Sequence, residues 1–207
     1  MNSSNAIVYI VDDDSSVRDA ISNLLESVGL RAQTFGSTEE FLAARRTDAP
    51  SCLVLDVMLP GMRGLEFQEM LKKSGISIPI IFITAHGDIP MTSKAMKAGA
   101  IEFLAKPFPK EDLLAAIHRG LQLDGTLREQ QAERTSLQTR FEQLSPRERE
   151  VMDLVVTGII NKQIAGQLGI SEVTVKIHRR QVMEKMKAES LADLVRMSDK
   201  IKAQQPK

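Results

Sequence analysis

Over roughly the first 120 residues the chain switches repeatedly between two hydrophobic periods. Short runs rich in apolar and β-branched residues lie at 6–11, 31–35, 52–56, 79–84 and 100–105, and each is followed by a stretch with apolar positions at helical spacing. Five strands alternating with five helices require crossover connections, and so predict a parallel sheet covered on both faces. Double cover explains why Ile80-Ile81-Phe82-Ile83 is apolar at every position rather than at every second one. Helix starts are marked: Asp14 or Ser15 can cap the first helix, and Ser37-Thr38-Glu39-Glu40 has the form of a capping box.

From Gly120 to Leu144 the pattern thins to a polar stretch rich in Gln, Glu and Arg. Leu127, Arg134 and Phe141 stand seven apart, as do Leu137 and Leu144. A solvated connecting helix is the expectation, with a dimerising helix as the alternative, because so short a stripe is thin for a coiled coil. After Leu144 the strand signals cease, and four helical patterns follow at 146–157, 161–168, 172–187 and 190–202. Ser145-Pro146-Arg147-Glu148 joins a cap, a proline at the first helical position and a capping glutamate. A small all-helical domain is expected there.

Composition sharpens this division. With 43% hydrophobic residues, the 207-residue chain can bury one large core or two small ones. Basic and acidic residues number 27 each, which argues against an overall polybasic nucleic-acid binder, yet residues 1–123 carry 12 basic and 15 acidic side chains and residues 124–207 the reverse. That asymmetry suggests modules with different partners. A single cysteine, Cys52, allows neither an internal disulfide nor a multi-cysteine metal site. The lack of a signal-like N-terminus or a long apolar run leads us to expect a cytoplasmic protein with no membrane partner.

In an open parallel sheet, ligands bind beyond the carboxyl ends of the strands. The residues at those ends are Asp12 and Asp13, Asp56, Thr84 and Lys106. Carboxylates converging at one edge repel one another unless a cation neutralises them, and oxygen-only donors favour a hard ion, Mg²⁺ above all. A carboxylate beside such an ion can act as nucleophile toward a phosphoryl donor, with Lys106 neutralising phosphoryl oxygens and Thr84 donating a hydrogen bond to one. Singly, an Asp-Asp pair reads as a helix cap and Lys-Pro as a surface turn; the four strand ends together point to a site. His86 and His118 are isolated and read as surface or satisfied residues, and Met58, Met62, Met70, Met91 and Met96 as packing or surface residues.

Val11-Asp12-Asp13-Asp14, the segment Leu55-Asp56-Val57-Met58-Leu59-Pro60-Gly61-Met62-Arg63-Gly64, Ile83-Thr84-Ala85-His86-Gly87 and Lys106-Pro107-Phe108 closely resemble the receiver domains of response regulators, in that family's order and spacing. The resemblance covers residues 6 to about 122. It implies a doubly wound, flavodoxin-like (CheY-like) α/β fold with a five-stranded sheet of order 2-1-3-4-5. It also implies that Asp56 is the phosphoacceptor, that Asp13, Asp56 and the Met58 carbonyl bind Mg²⁺ with Asp12 assisting through water, and that Thr84 and Phe103 form a switch pair. A cis Lys106-Pro107 bond is implied as well.

In the second half, a helix over 172–187 puts Val175, His178, Val182 and Met186 on one side and Val173, Lys176, Ile177, Arg180, Glu184 and Lys187 on the other. An exposed Ile among cations suits a major groove, although an ordinary solvated helix with a stray Ile would look the same. Asn161-Lys162-Gln163-Ile164-Ala165, Leu168-Gly169-Ile170-Ser171 and Thr174-Val175-Lys176-Ile177-His178-Arg179, opened by Leu144-Ser145-Pro146-Arg147-Glu148-Arg149-Glu150, resemble the LuxR-type helix-turn-helix over about residues 142–200. The resemblance implies that Lys176, Ile177 and Arg180 read bases and that Lys162, Thr174 and Arg179 meet phosphates. Gln181, Ile160 and Glu189 depart from that family's usual Asn, Ser or Thr, and basic residue.

The whole chain is thus similar to response regulators of the NarL/FixJ type, and within them to the FixJ-like and styrene-response (StyR-like) branch. Its expected parts are a receiver at 1–124, a helical linker at 125–141 and a DNA-binding domain at 142–207. The resemblance implies a sensor histidine kinase, promoter DNA, RNA polymerase and a second copy of the chain as partners, and a phosphoacceptor regulator rather than an enzyme. Two alternatives stand beside it. One is a phosphatase of the haloacid-dehalogenase kind, which needs an Asp where Met58 stands. The other is a DNA-binding protein whose receiver stays unphosphorylated.

Overall fold

The computed structural model describes residues 5–85 and 89–203; His86 and Gly87 of the third motif lie outside them. The chain divides into two compact units, 1–128 and 129–207. In the first, strands β1 (Ile7–Val11), β2 (Arg31–Phe35), β3 (Ser51–Asp56), β4 (Ile80–Thr84) and β5 (Glu102–Ala105) alternate with helices α1 (Ser15–Ser27), α2 (Thr38–Ala43), α3 (Gly64–Lys73), α4 (Ile89–Lys97) and α5 (Lys110–Glu142). All pairings are parallel and the order is β2-β1-β3-β4-β5, the doubly wound topology expected.

The central strands are apolar throughout because each face of the pleat meets its own core. Ile7, Tyr9, Val11, Leu53, Leu55, Ile80 and Phe82 point to one side, where Phe41 of α2, Phe67 and Leu71 of α3 and Ala95 of α4 cover them. Val8, Ile10, Cys52, Val54, Ile81 and Ile83 point to the other, under Ile21 and Leu25 of α1 and Leu113, Ala116 and Ile117 of α5. Burial in this second layer pushes the Cys52 thiol well up from its ordinary value and leaves it inert.

Local signals explain the connections. Asp14 caps α1, its carboxylate accepting from the Ser16 N–H at 2.8 Å. Ser37 caps α2, but the reciprocal half of the expected box shifts by one residue: the Glu40 carboxylate takes the Gly36 N–H at 2.7 Å instead of that of Ser37. Gly64 starts α3 against the end of β3, where a Cβ would sit 2.5 Å from the Asp56 carbonyl oxygen. Only glycine permits that approach.

The residues read as a helical linker lie in the later part of α5, which runs unbroken for 33 residues. Gly120 does not interrupt it because the helix crosses β3 there so closely that a Cβ would lie 3.0 Å from the Cys52 Cβ. One turn later the buried Asp124 accepts from the Ser51 N–H at 2.8 Å and from Arg128 Nε at 2.6 Å, holding the helix to the start of β3. The glycine lets the helix pack closely on β3.

The second unit contains the end of α5, then α6 (Pro146–Val155), α7 (Asn161–Leu168), α8 (Glu172–Met186) and α9 (Leu191–Lys202). Leu137 of α5 joins Leu144, Val151, Met152, Val155, Ile164, Val175, Val182, Met186, Leu194 and Ile201 in one core. Ser145 opens α6 with the full capping box to Glu148 and Pro146 in the first turn. Between α7 and α8 the turn rests on Gly169, whose φ of 65° lies in the left-handed region that favours glycine. Among the described residues, no helix is long and apolar enough to cross a membrane.

Candidate functional site

The sheet delivers its polar residues to one edge. Asp12 follows β1 directly and is fully buried, Asp56 ends β3 with 6% of its surface exposed, and Thr84 ends β4, buried. The Lys106 N–H donates to the Thr84 carbonyl at 2.7 Å, which fixes the loop after β5 beside β4, and the Lys106-Pro107 peptide is cis. From there the Lys106 ammonium reaches Asp12 Oδ2 at 2.6 Å and Asp56 Oδ2 at 2.8 Å. The remaining oxygens take backbone donors: Asp12 Oδ1 accepts from Asp14 N–H and Asp56 Oδ1 from Met58 N–H, both at 2.9 Å. These bonds orient both carboxylates.

Charge at this edge is not balanced. Asp12, Asp13 and Asp56 place carboxylate oxygens within 4.8 Å of one another, with Asp13 exposed to solvent. One ammonium serves the two buried carboxylates. Burial works against the charge on Lys106, but its hydrogen bonds to Asp12 and Asp56 outweigh that and raise its pKa. Asp12 moves the other way in charge preference: burial raises its pKa, and the shared lysine with the Asp14 N–H offsets only part of the rise. Three carboxylates that share one ammonium in direct contact, with oxygen donors alone and one carboxylate facing solvent, suit a hard divalent cation, so the residues present fit Mg²⁺. Met58, two residues beyond Asp56, is 49% exposed.

Thr84 and Phe103 lie on the same face of the sheet, since Phe82 pairs with Phe103 and Thr84 with Ala105. The half-buried Phe103 ring sits 6.2 Å from that of Phe82. His118 is exposed and turns Nδ1 to the Leu114 carbonyl of its own helix at 2.8 Å. Arg18 was not singled out in the sequence, yet it donates to the carbonyls of Asp12 at 2.7 Å and Asp13 at 3.1 Å, fixing the loop that carries both. Its only sequence signal is a place one turn beyond the capping Asp14.

In the second unit α8 presents Val173, Lys176, Ile177 and Arg180 to solvent. Ser171 caps the helix and engages Thr174 twice, from its backbone N–H at 3.1 Å and at its hydroxyl at 2.8 Å. Lys162 is exposed near the start of α7. Arg179 is less free than a phosphate contact implies: half-buried, it donates to Asn161 Oδ1 at 2.9 Å and so braces α8 against α7. Arg180 Nε lies 3.5 Å from Glu184 Oε1 in an exposed pair. On the inner side, the half-buried His178 has no partner for Nδ1 among the described residues.

Comparison with known proteins gives the same division. The family model described as response regulator receiver domain matches residues 8–118, and that described as bacterial regulatory proteins, luxR family, matches 142–198. Nodulation protein W of Bradyrhizobium diazoefficiens is 54% identical over 197 residues, 95% of this chain and 87% of that protein. The response regulator protein TmoT of Ectopseudomonas mendocina is 48% identical over 202 residues, 98% and 92% of the two chains. Among solved structures, the response regulator StyR superposes with a TM-score of 0.89 at 51% identity, covering 95% of this chain and 99% of that one. Full-length FixJ from B. japonicum gives 0.57 at 36% identity, covering 96% and 98%. With a receiver at one end and a LuxR-type domain at the other, the chain belongs to the two-component response regulators that control transcription, in the FixJ- and StyR-like part of the NarL family.

Proposed function

We propose that Asp56 is the phosphoacceptor of this regulator, with 1–124 the regulatory module, 125–141 the helical connection and 142–207 the DNA-binding module. The observation that carries the reading is the convergence of Asp12, Asp13 and Asp56 within 4.8 Å around the single ammonium of Lys106. An Asp56 carboxylate oxygen attacks the phosphorus of a phosphohistidine on a sensor kinase. The P–N bond breaks as the P–O bond forms, and the histidine nitrogen leaves with the electron pair. Asp13, Asp56 and the Met58 carbonyl, with Asp12 assisting through water, would hold Mg²⁺, which when bound would neutralise charge on the phosphoryl oxygens. Lys106 exchanges Asp56 Oδ2 for a phosphoryl oxygen, and the Thr84 hydroxyl donates to another.

Movement of Thr84 draws Phe103 inward and reshapes the surface of α4, β5 and α5, which pairs with a second receiver. Dimerisation sets two α8 helices into neighbouring major grooves at promoter half-sites. Lys176, Ile177 and Arg180 face base edges, Lys162 and Thr174 face phosphates, and Arg179 reaches a phosphate only by releasing Asn161. RNA polymerase is the downstream partner. Phosphorylation switches the protein only as far as it favours the dimerising state differentially. A phosphatase cycle lacks its general acid, because Met58 stands where that chemistry needs an Asp.

The test is intact mass after incubation with Mg²⁺ and acetyl phosphate. Wild type gains one phosphoryl group, and neither Asp56→Asn nor a Mg²⁺-free sample does. A folded wild type that gains none in the presence of Mg²⁺ overturns the assignment.

A further inference from the structure

Two residues on the outer face of α8 have no structural reason to be apolar. Val173 is 65% and Ile177 48% exposed, while Val175, Val182 and Met186 already fill the inner face. At about 100° per residue, Lys176, Arg180, Val173 and Ile177 fall within an arc of about 100°, with Val173 near its middle and in the first turn. Two cations lie to one side of an apolar pair one turn apart. The N-terminal residues of a recognition helix are those that meet base edges, and the apolar group a major groove offers is the C5-methyl of thymine. The rise between positions four apart on a helix, about 6 Å, is close to two base-pair steps of about 3.4 Å each.

Resting on the reading of α8 as the helix that enters the major groove, we propose that Val173 and Ile177 form a thymine-methyl reader. The pair contacts two thymine methyls about two base-pair steps apart, beside the bases and phosphates met by Lys176 and Arg180. Val173 is then a specificity-determining residue. Its substitution changes which base is preferred, with little effect on binding to DNA of arbitrary sequence, because it carries no charge to the backbone.

The experiment uses the full chain treated with Mg²⁺ and acetyl phosphate. A preferred site is selected from random duplex DNA, and each thymine in it is then replaced by uracil, which removes one methyl and nothing else. Two positions should weaken binding about fourfold each on loss of the methyl. The effect at one should vanish in Val173→Ser and at the other in Ile177→Ser, both exposed positions where the fold tolerates a polar residue. Selective binding that uracil nowhere weakens overturns the inference and leaves base reading to Lys176 and Arg180. Uracil effects that persist unchanged in both variants overturn it as well. If no sequence is enriched at all, the major-groove reading of α8 fails and takes the methyl reader with it.

Discussion

Each half of the molecule contains a lysine that meets a buried carboxylate, and the two arrangements are built to opposite rules. In the second unit, Lys185 Nζ meets Glu148 at 2.7 Å, and the same carboxylate takes the Ser145 N–H at 2.7 Å: one cation, one buried carboxylate, with helix-capping bonds occupying the remaining oxygen capacity. At the sheet edge one ammonium faces two buried carboxylates and a third that is open to solvent. The pKa directions follow. Burial opposes charge on Glu148, but Lys185 and the Ser145 donors overcome it and lower its pKa, whereas Asp12, sharing its lysine, stays raised. A matched pair is a structural part. A surplus of like charge held in place by backbone donors is strain that a ligand relieves, and that marks function.

The contrast can be broken first at its structural end. Glu148→Ala removes the capping bond and the carboxylate partner of the part-exposed Lys185, and should destabilise the second unit by about 2 kcal/mol in denaturant unfolding, while Mg²⁺-dependent phosphoryl incorporation persists. Lys106→Met should cost the first unit about 2 kcal/mol without divalent ions, and millimolar Mg²⁺ should restore most of it by replacing one cation with another. Lys185→Met, in the matched pair, should show no such rescue.

pH sharpens the comparison with a smaller effect. The folded pKa of Glu148 lies below its unfolded value, so its contribution is complete above about pH 4.5 and disappears as pH falls through the folded value. Glu148→Gln should flatten the acid limb of the second unit's stability curve. Asp12 has the opposite sign: its raised pKa means that ionisation weakens the fold as pH rises through the folded value, so acid relieves the sheet edge while loosening the second unit. The smallest expected effect is at α7, where the exposed Ile160 occupies the cap position without a side-chain bond. Ile160→Ser should gain about 0.5 kcal/mol in thermal unfolding.

What could be read from the sequence follows from the range of the signal. The doubly covered strands, the acidic strand ends and the Ser145 box were legible because each is written within a few residues. The close packing of α5 at Gly120 was not, since it depends on residues about 70 positions away in the chain: Cys52, which lies against the bare helix face, and Ser51, whose N–H donates to the Asp124 carboxylate. Arg179 looked like a free cation because nothing local reveals Asn161, 18 residues earlier, as its acceptor. The pairing of Lys185 with Glu148 was hidden by the same kind of distance, so the sequence displayed the acidic cluster and concealed the matched pair. Motifs report local chemistry; only the fold reports which charges are already matched.

The most direct test of the charge-surplus account is calorimetric titration of the full chain with Mg²⁺. Wild type should bind one ion saturably, Asp13→Ala should lose that binding, and Lys106→Met should bind more tightly because the competing ammonium is gone. Absence of saturable binding in wild type, or weaker binding in Lys106→Met, would contradict the claim that the sheet edge holds uncompensated negative charge for a divalent cation.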